Sequence, residues 1–307
     1  MKNKKILIIG LGKIGLNHLK AAEKFKKKID IYVFDKKLTN KNFVNKKINL
    51  IKNLNNNHSY DLVIISTNSS ERFRLFLKLI KNNNVKNILF EKIVFFKIQQ
   101  FLKTFKILKK NKINVWVNCL RREISIFHKI KKKIKGDFEL TYKSKNWGLG
   151  CNSIHFLDLF CFLSNSRKVL INQSNLYKKI YKSRRKGYME FKGLIEFKIR
   201  NSKLLIQDDD INDNKVFRIT TNKNVFSFNN KENIMTELNI KNNNVKKYKC
   251  EEPKVSLISY NIIEKIFKKK KVNLATLKES FLHHKSLIDI FSSHLKKINH
   301  KKKLKIT

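Results

Sequence analysis

The stretch that most constrains this chain is Lys4 to Ala22, KKILIIGLGKIGLNHLKAA: an apolar run, three glycines, then an amphipathic continuation. Ile6 to Ile9 form a continuous run of β-branched residues and leucine closed by a turn residue, the pattern of a parallel strand buried on both faces. Gly10, Gly12 and Gly15 follow with G-x-G-x-x-G spacing. Such glycines let the backbone turn sharply, approach a pyrophosphate closely and seat a helix on the strand. The helix expected from Ile14 aims its free N–H groups at the phosphates, which adds Lys13 and Ile14 to the candidate contacts. A second apolar strand, Ile29 to Phe34, ends in Asp35, twenty residues beyond Gly15. A carboxylate there accepts hydrogen bonds from the hydroxyls of an adenosine ribose. The stretch therefore reads as a dinucleotide site that prefers NAD to NADP, because Asp35 repels a 2′-phosphate; Lys36 and Lys37 act against that preference.

Strand and helix patterns alternate through the first third. After an Asn/Lys-rich stretch, Asp61 to Ser66 reads as a strand and Ser70 to Lys81 as a helix with Phe73, Phe76, Leu77 and Ile80 on one face. Lys86 to Glu91 is the next strand, Phe95 to Lys110 the next helix, and Ile113 to Asn118 the strand that ends the alternation. This order requires right-handed crossovers and a parallel sheet covered on both faces. Ligands of such sheets bind beyond the carboxyl ends of the strands, where Gly10, Asp35, Ser66, Thr67, Asn68, Glu91, Lys92 and Asn118 fall.

From Cys119 the pattern changes to a helix (Glu123 to Lys135), a strand (Asp137 to Lys145) and an apolar segment (Cys151 to Leu163). Alternating strands follow at Lys168 to Lys178, Tyr188 to Ile199, Lys203 to Gln207, Val216 to Thr220 and Val225 to Phe228, then helices at Ser256 to Lys268 and Leu274 to Lys296. Such alternation predicts an antiparallel sheet with one face covered by helices. The expected class is α/β, with a parallel-sheet dinucleotide domain over 1–118 and a second α/β domain over 119–307.

Charge is the unusual feature: Lys+Arg 70 against Asp+Glu 23 gives +47. One reading is a nucleic-acid binder. The other is compositional drift towards Lys, Asn, Ile, Phe and Tyr, and it is favoured because lysines lie throughout the chain with only short runs such as Lys131 to Lys133. The aromatics sit in apolar runs instead of interleaving with cations, so no specific nucleic-acid partner is expected. Cys119, Cys151, Cys161 and Cys250 form no C-x-x-C pair, and neither a disulfide framework nor a metal site is expected. No apolar stretch approaches eighteen residues and MKNKK runs directly into a strand, so the expectation is a soluble cytoplasmic protein with no membrane partner.

Two residues carry candidate chemistry. In CNSIHFLDLFCFL, Cys151, His155, Asp158 and Phe162 share one helical face. His155 is either a general base, taking a proton from a substrate hydroxyl as hydride leaves its carbon, or a core histidine satisfied by Asp158, and spacing alone does not separate the two. Lys92, at a strand's carboxyl end, is placed to stabilise negative charge on a reacting oxygen, against the bland reading as one more surface lysine.

Taken together and in order, the glycine run continuing to His18, DLVIISTNS at Asp61 to Ser69, FEK at Phe90 to Lys92, VNCLRR at Val117 to Arg122, IHFLDLF at Ile154 to Phe160 and the closing LATLKESFLHHKSLIDIF resemble the glucose-fructose oxidoreductase and inositol dehydrogenase (Gfo/Idh/MocA) superfamily. The resemblance implies a Rossmann domain, a second domain with an open, mainly antiparallel sheet used in substrate binding and oligomerisation, and a nicotinamide cofactor. It further implies a sugar, polyol or nucleotide-sugar substrate, with surface-polysaccharide sugar synthesis one setting, and a homo-oligomer, dimer or tetramer. Lys92 matches the lysine of the family's E-K-P motif and His155 its catalytic histidine. Ile93 stands where the family usually has proline, and Cys151 where many members carry aspartate. Those departures leave Asn152 or Asp158 to contact substrate, His155 to work without the carboxylate, or the chain to be a catalytically silent sensor or subunit. Trp147 is read as a stacking surface for a sugar ring or as core, and Arg121 and Arg122 as contacts for an anionic substrate or as a solvated pair.

Overall fold

The computed structural model describes residues 3–25, 29–38, 48–210, 215–229, 232–250 and 253–307; part of the Asn/Lys-rich stretch after Asp35 lies outside them. The chain divides into two compact units, Met1–Cys119 with Pro253–Leu277, and Leu120–Glu252 with Lys278–Thr307.

The first unit runs β1 Lys4–Ile9, α1 Lys13–Glu23, β2 Ile29–Phe34, β3 Ile48–Leu50, β4 Ser59–Tyr60, β5 Leu62–Ile65, α2 Ser69–Asn82, β6 Asn84–Val85, β7 Asn87–Phe90, α3 Ile98–Asn111 and β8 Asn114–Val117. Six strands pair in parallel in the order β3-β2-β1-β5-β7-β8, and β4 pairs with β6. Ile6 to Ile9 and Leu62 to Ile65 are fully buried, as strands covered on both faces must be. Each such side chain contributes about 1.5–3 kcal/mol. The strand order reverses between β1 and β5, so their carboxyl ends, Gly10 and Ser66 to Thr67, flank the switch point where ligands of such sheets bind.

Two local expectations are corrected. The buried face of α2 is Ser69, Arg72, Leu75, Phe76 and Leu79, while Leu77 is 39% exposed. An arginine in the buried stripe hides the true face from an apolar periodicity. α3 begins at Ile98, because Phe95 is drawn into an edge-to-face cluster with Phe73 (5.6 Å), Phe90 (5.6 Å) and Phe101 (4.9 Å) instead of starting the helix.

The second unit opens with a 3-10 turn, Leu120–Glu123, then α4 Ser125–Lys133, β9 Phe138–Lys145 and α5 Leu149–Leu163. The strands that follow are β10 Leu170–Leu176, β11 Tyr181–Lys182, β12 Met189–Glu190, β13 Gly193–Ile199, β14 Ser202–Asp209, β15 Val216–Thr221, β16 Asn224–Asn229, β17 Ile234–Asn239 and β18 Val245–Lys249. Eight form one sheet, β10-β13-β14-β9-β15-β16-β17-β18, in which β14 and β9 are parallel and the other pairs antiparallel. α5 is apolar nearly all round because it is buried nearly all round. It packs on β14, Phe156 stacks on Tyr142 of β9 (4.0 Å), and Phe160 meets Phe138 edge-on (5.5 Å).

Two helices close the chain, α6 Val255–Phe267 and α7 Leu277–Lys297. The sequence expectation carried one continuous second domain to the end of the chain, yet 253–277 belongs to the first unit. α6 packs on α1, with Tyr260 stacked on Phe25 (4.5 Å), and Ala275 accepts the Val117 N–H (2.9 Å) while Thr276 bridges Trp116. The free edge of β8 thus gains partners that no local pattern announces. Among the described residues no helix is long and apolar enough to cross a membrane.

Candidate active site

The glycine loop is built by close approach. Gly10 has φ +95, and a Cβ on it would lie 2.7 Å from Thr67 Cγ2; a Cβ on Gly15 would lie 1.9 Å from the Gly10 carbonyl oxygen. Alanine at Gly15 would force α1 away from the end of β1, and alanine at Gly10 would push the loop off Thr67. Gly12 differs: nothing stands within 4 Å of where its Cβ would be, so open space lies over its backbone. Gly12 is also the N-cap of α1, with no side-chain cap and no acid in the first turn, leaving the N–H groups of Lys13, Ile14 and Gly15 without intrahelical acceptors.

Asp35 ends β2. Its Oδ2 accepts from the Leu11 N–H (2.7 Å) and its Oδ1 from the Lys37 N–H (2.9 Å), which turns the carboxylate towards the loop with acceptor capacity to spare. Lys36 is turned to Glu71 (3.0 Å). Ser66 is a strut under the loop, its hydroxyl donating to the Gly10 carbonyl (2.6 Å). Thr67 Oγ1 is buried with no hydrogen-bond partner among the described residues, and Asn68 is exposed at the N-cap of α2. A bare glycine, an uncapped helix, a ribose-side carboxylate and an orphaned hydroxyl together fit a dinucleotide.

Beyond β7, Glu91 is 6% exposed. His18 Nε2 lies 2.9 Å from Oε1, which also accepts from Asn118 Nδ2. Burial by itself would raise the Glu91 carboxyl, but His18, Asn118 and Arg72 outweigh it and hold the group below its ordinary value. Oε1 is therefore engaged internally, and Glu91 anchors the end of β7 to α1 and to the residue after β8. Lys92 follows, half-buried, with a cis peptide bond to Ile93, and Arg72 donates to the carbonyls of Ile93 and Lys92 (3.4 Å to the latter).

In the second unit, Gly148 (φ +84) starts α5. Asp208 Oδ2 accepts from the Gly148 and Leu149 N–H groups (2.8 and 3.2 Å), and Glu190 Oε2 from the Gly150 N–H (3.0 Å). Burial lifts the Asp208 carboxyl above its ordinary value despite those bonds. Sequence reasoning missed both caps, since they come from strands 40 and 60 residues away, not from the helix's own first turn. Asn152 Nδ2 donates to the Trp147 carbonyl (2.6 Å). Trp147 is half-buried, its indole N–H donating to the Gln207 carbonyl (2.8 Å) and its ring packed edge-on against Tyr142 (4.9 Å) and Phe156 (5.4 Å). The Arg121 guanidinium lies 4.4 Å over Phe156, and His155 beside it is half-buried. Arg121 and Trp147 thus meet on Phe156 of α5 and Asn152 is tied to Trp147, while His155 lies next to Phe156 in the same helix.

Asp158 and Arg122 do not join them. Asp158 is fully buried; Arg122 Nε donates to Oδ2 (2.8 Å) and His283 Nδ1 stands 3.5 Å from Oδ1. Arg122 is itself 7% exposed. The expected substrate contacts at Asp158 and Arg122 are corrected to a core ion pair, because a charge so buried needs its partner more than a ligand does.

Residues 4–119 match the family described as "Oxidoreductase family, NAD-binding Rossmann fold". Over this domain the chain is similar to the NAD-binding domain of the Gfo/Idh/MocA oxidoreductases. Solved structures similar in fold span nearly the whole chain. A dehydrogenase (MviM) from Clostridium difficile is 16% identical, with 95% of this chain and 100% of that one covered at a TM-score of 0.71. An oxidoreductase from Bacillus cereus is 14% identical, covering 94% and 96% at 0.70. A super-repressor mutant of Gal80p from Saccharomyces cerevisiae is 14% identical, covering 96% and 97% at 0.72. No curated protein matches the chain. The Rossmann domain followed by a mainly antiparallel α/β domain is the fold expected from the sequence.

Proposed function

We propose that this chain is an NAD-dependent oxidoreductase acting on the CH–OH group of a sugar, polyol or nucleotide sugar, with Lys92 and His155 as its catalytic residues. The observation that carries the reading is Lys92 at the carboxyl end of β7, held by a buried Glu91 on the same sheet as the Gly10 to Gly15 loop. A bound nicotinamide would accept the hydride leaving the carbinol carbon. His155 takes the hydroxyl proton and passes it to solvent, and the Lys92 ammonium donates to the oxygen as its negative charge develops. Arg121, Trp147 and Asn152 are assigned to substrate binding. Asp35, with Lys36 drawn off to Glu71, supports NAD over NADP.

The partner is a small molecule, and the chain is proposed to be a cytoplasmic homo-oligomer, dimer or tetramer, without specific nucleic-acid binding. A second reading, a silent member that binds dinucleotide or sugar as sensor or subunit, is supported by the departures at Ile93 and Cys151. A screen of sugars and nucleotide sugars with NAD and NADP, followed by nicotinamide absorbance, decides between them: cofactor binding without turnover on any of them favours the sensor.

A further inference from the structure

Arg72 is out of place by the ordinary rules of a helix face. It is 1% exposed, in the same buried stripe of α2 as Leu75, Phe76 and Leu79. A leucine or methionine would complete that stripe without carrying a charge out of water. The reason for an arginine therefore lies in what it donates to. Its Nη1 donates to the Ile93 carbonyl and its Nη2 faces the Lys92 carbonyl at 3.4 Å, two successive main-chain acceptors at the candidate catalytic lysine. A planar guanidinium carries donors in a fixed fork that serves such a pair, whereas an ammonium is a single point of charge.

The flanking residues are anchored by other means. Glu91 is tied to His18 of α1 and to Asn118 just beyond β8, and Ile93, Val94 and Phe95 are buried at 1%, 0% and 0% exposure. Arg72 grips the backbone between those anchors. The neighbouring Glu91 carboxylate offsets the buried positive charge, and Arg72 in turn helps to hold that carboxyl below its ordinary value.

We propose that Arg72 is the positioning residue of Lys92: reaching from α2, it fixes the lysine's main chain and thereby the place of the ammonium beside the nicotinamide. This rests on the assignment of Lys92 made above. Placement matters because a displacement of about 1 Å at a reacting group costs on the order of 10²-fold in rate.

The test uses the full chain, Arg72→Met and Arg72→Lys, with NADH as the ligand and trace acetylation by acetic anhydride read by mass spectrometry. Exposed Lys97 serves as the internal reference. In the unaltered protein, NADH should slow acetylation of Lys92 by about tenfold or more relative to Lys97. In both variants NADH affinity should stay as it was, since the glycine loop holds the phosphates, while the protection of Lys92 is largely lost. Hydrogen exchange over residues 91–95 should rise by about tenfold or more, with β1 and α1 unchanged. A merely structural arginine would loosen the core and NADH binding together and would not single out Lys92. Arg72→Lys keeps the charge and decides the matter if Arg72→Met does not fold. Protection of Lys92 in the folded variants equal to that in the unaltered protein overturns the proposal. Absence of NADH protection in the unaltered protein means the Lys92 assignment itself is wrong and takes the proposal with it, so the wild-type measurement tells the two failures apart.

Discussion

Glu91 in the first unit and Asp158 in the second are both buried acids with a histidine and an arginine close by, yet the arginines are used differently. Around Asp158, Arg122 binds the carboxylate directly and His283 approaches its other oxygen, tying the middle of α5 to the 3-10 turn and to α7. Around Glu91, His18 and Asn118 take the carboxylate, which leaves Arg72 to hold the backbone of the next two residues. The first arrangement closes on itself and can only stabilise. The second ends on a half-buried lysine at the carboxyl edge of a parallel sheet, where a ligand is expected. A buried ion cluster is therefore informative about function less by its members than by what remains at its rim.

The largest expected effect tests the rim. Removing a positioned acid-base group costs about 10²- to 10⁴-fold in rate. His155→Ala and Lys92→Ala should each lower turnover by that order on the substrate identified by the screen, with NAD affinity nearly unchanged by calorimetry. Near-normal turnover of His155→Ala would make it a core histidine and favour the sensor reading.

Next comes the closed cluster. Breaking a buried ion pair by removing one partner costs about 3–5 kcal/mol, so Asp158→Ala should show that loss in urea unfolding by stranding Arg122 and His283. A loss of turnover with intact stability would instead return Asp158 to the substrate site.

The two clusters should also fail at opposite ends of the pH scale. The Glu91 carboxyl is held below its ordinary value, so its contribution is present above about pH 4.5 and is lost as pH falls further. Burial by itself would lower His283, but Cys161 and Asp158 raise it to about 9. Its contribution is complete below about pH 6.5 and is lost as pH climbs through about 9. Melting temperature against pH should show both shoulders; Glu91→Gln should flatten only the acid one and His283→Gln only the alkaline one. Coincident loss of both in either variant would mean that the clusters are not independent.

The smallest effect lies outside both clusters. Asp35→Ser should raise NADP affinity relative to NAD by removing the repulsion of a 2′-phosphate. NADP binding that already equals NAD binding in the unaltered protein would show that Lys36 and Lys37 govern the pocket.

The features legible along the chain are those whose physics is local. The glycine spacing, the uninterrupted apolar runs Ile6 to Ile9 and Leu62 to Ile65, and the alternation of strand and helix each report a neighbour-to-neighbour constraint, and with them came the parallel sheet, the dinucleotide loop and the place of Lys92 and His155 along the chain. Where buried charge goes emerges only in the assembled fold. His18 and Glu91 are 73 residues apart, Arg122 and Asp158 36, and periodicity carries no information across such separations. An arginine in an apolar stripe masks the buried face of α2, and Asp158, a candidate ligand contact by sequence, is claimed by Arg122 and His283. The return of 253–277 to the first unit, the parallel pairing of β14 with β9, and strands β17 and β18 were invisible for the same reason. Each depends on which surface is left uncovered once the rest has folded, and burial free energy is settled over the assembled surface, not within a window of sequence.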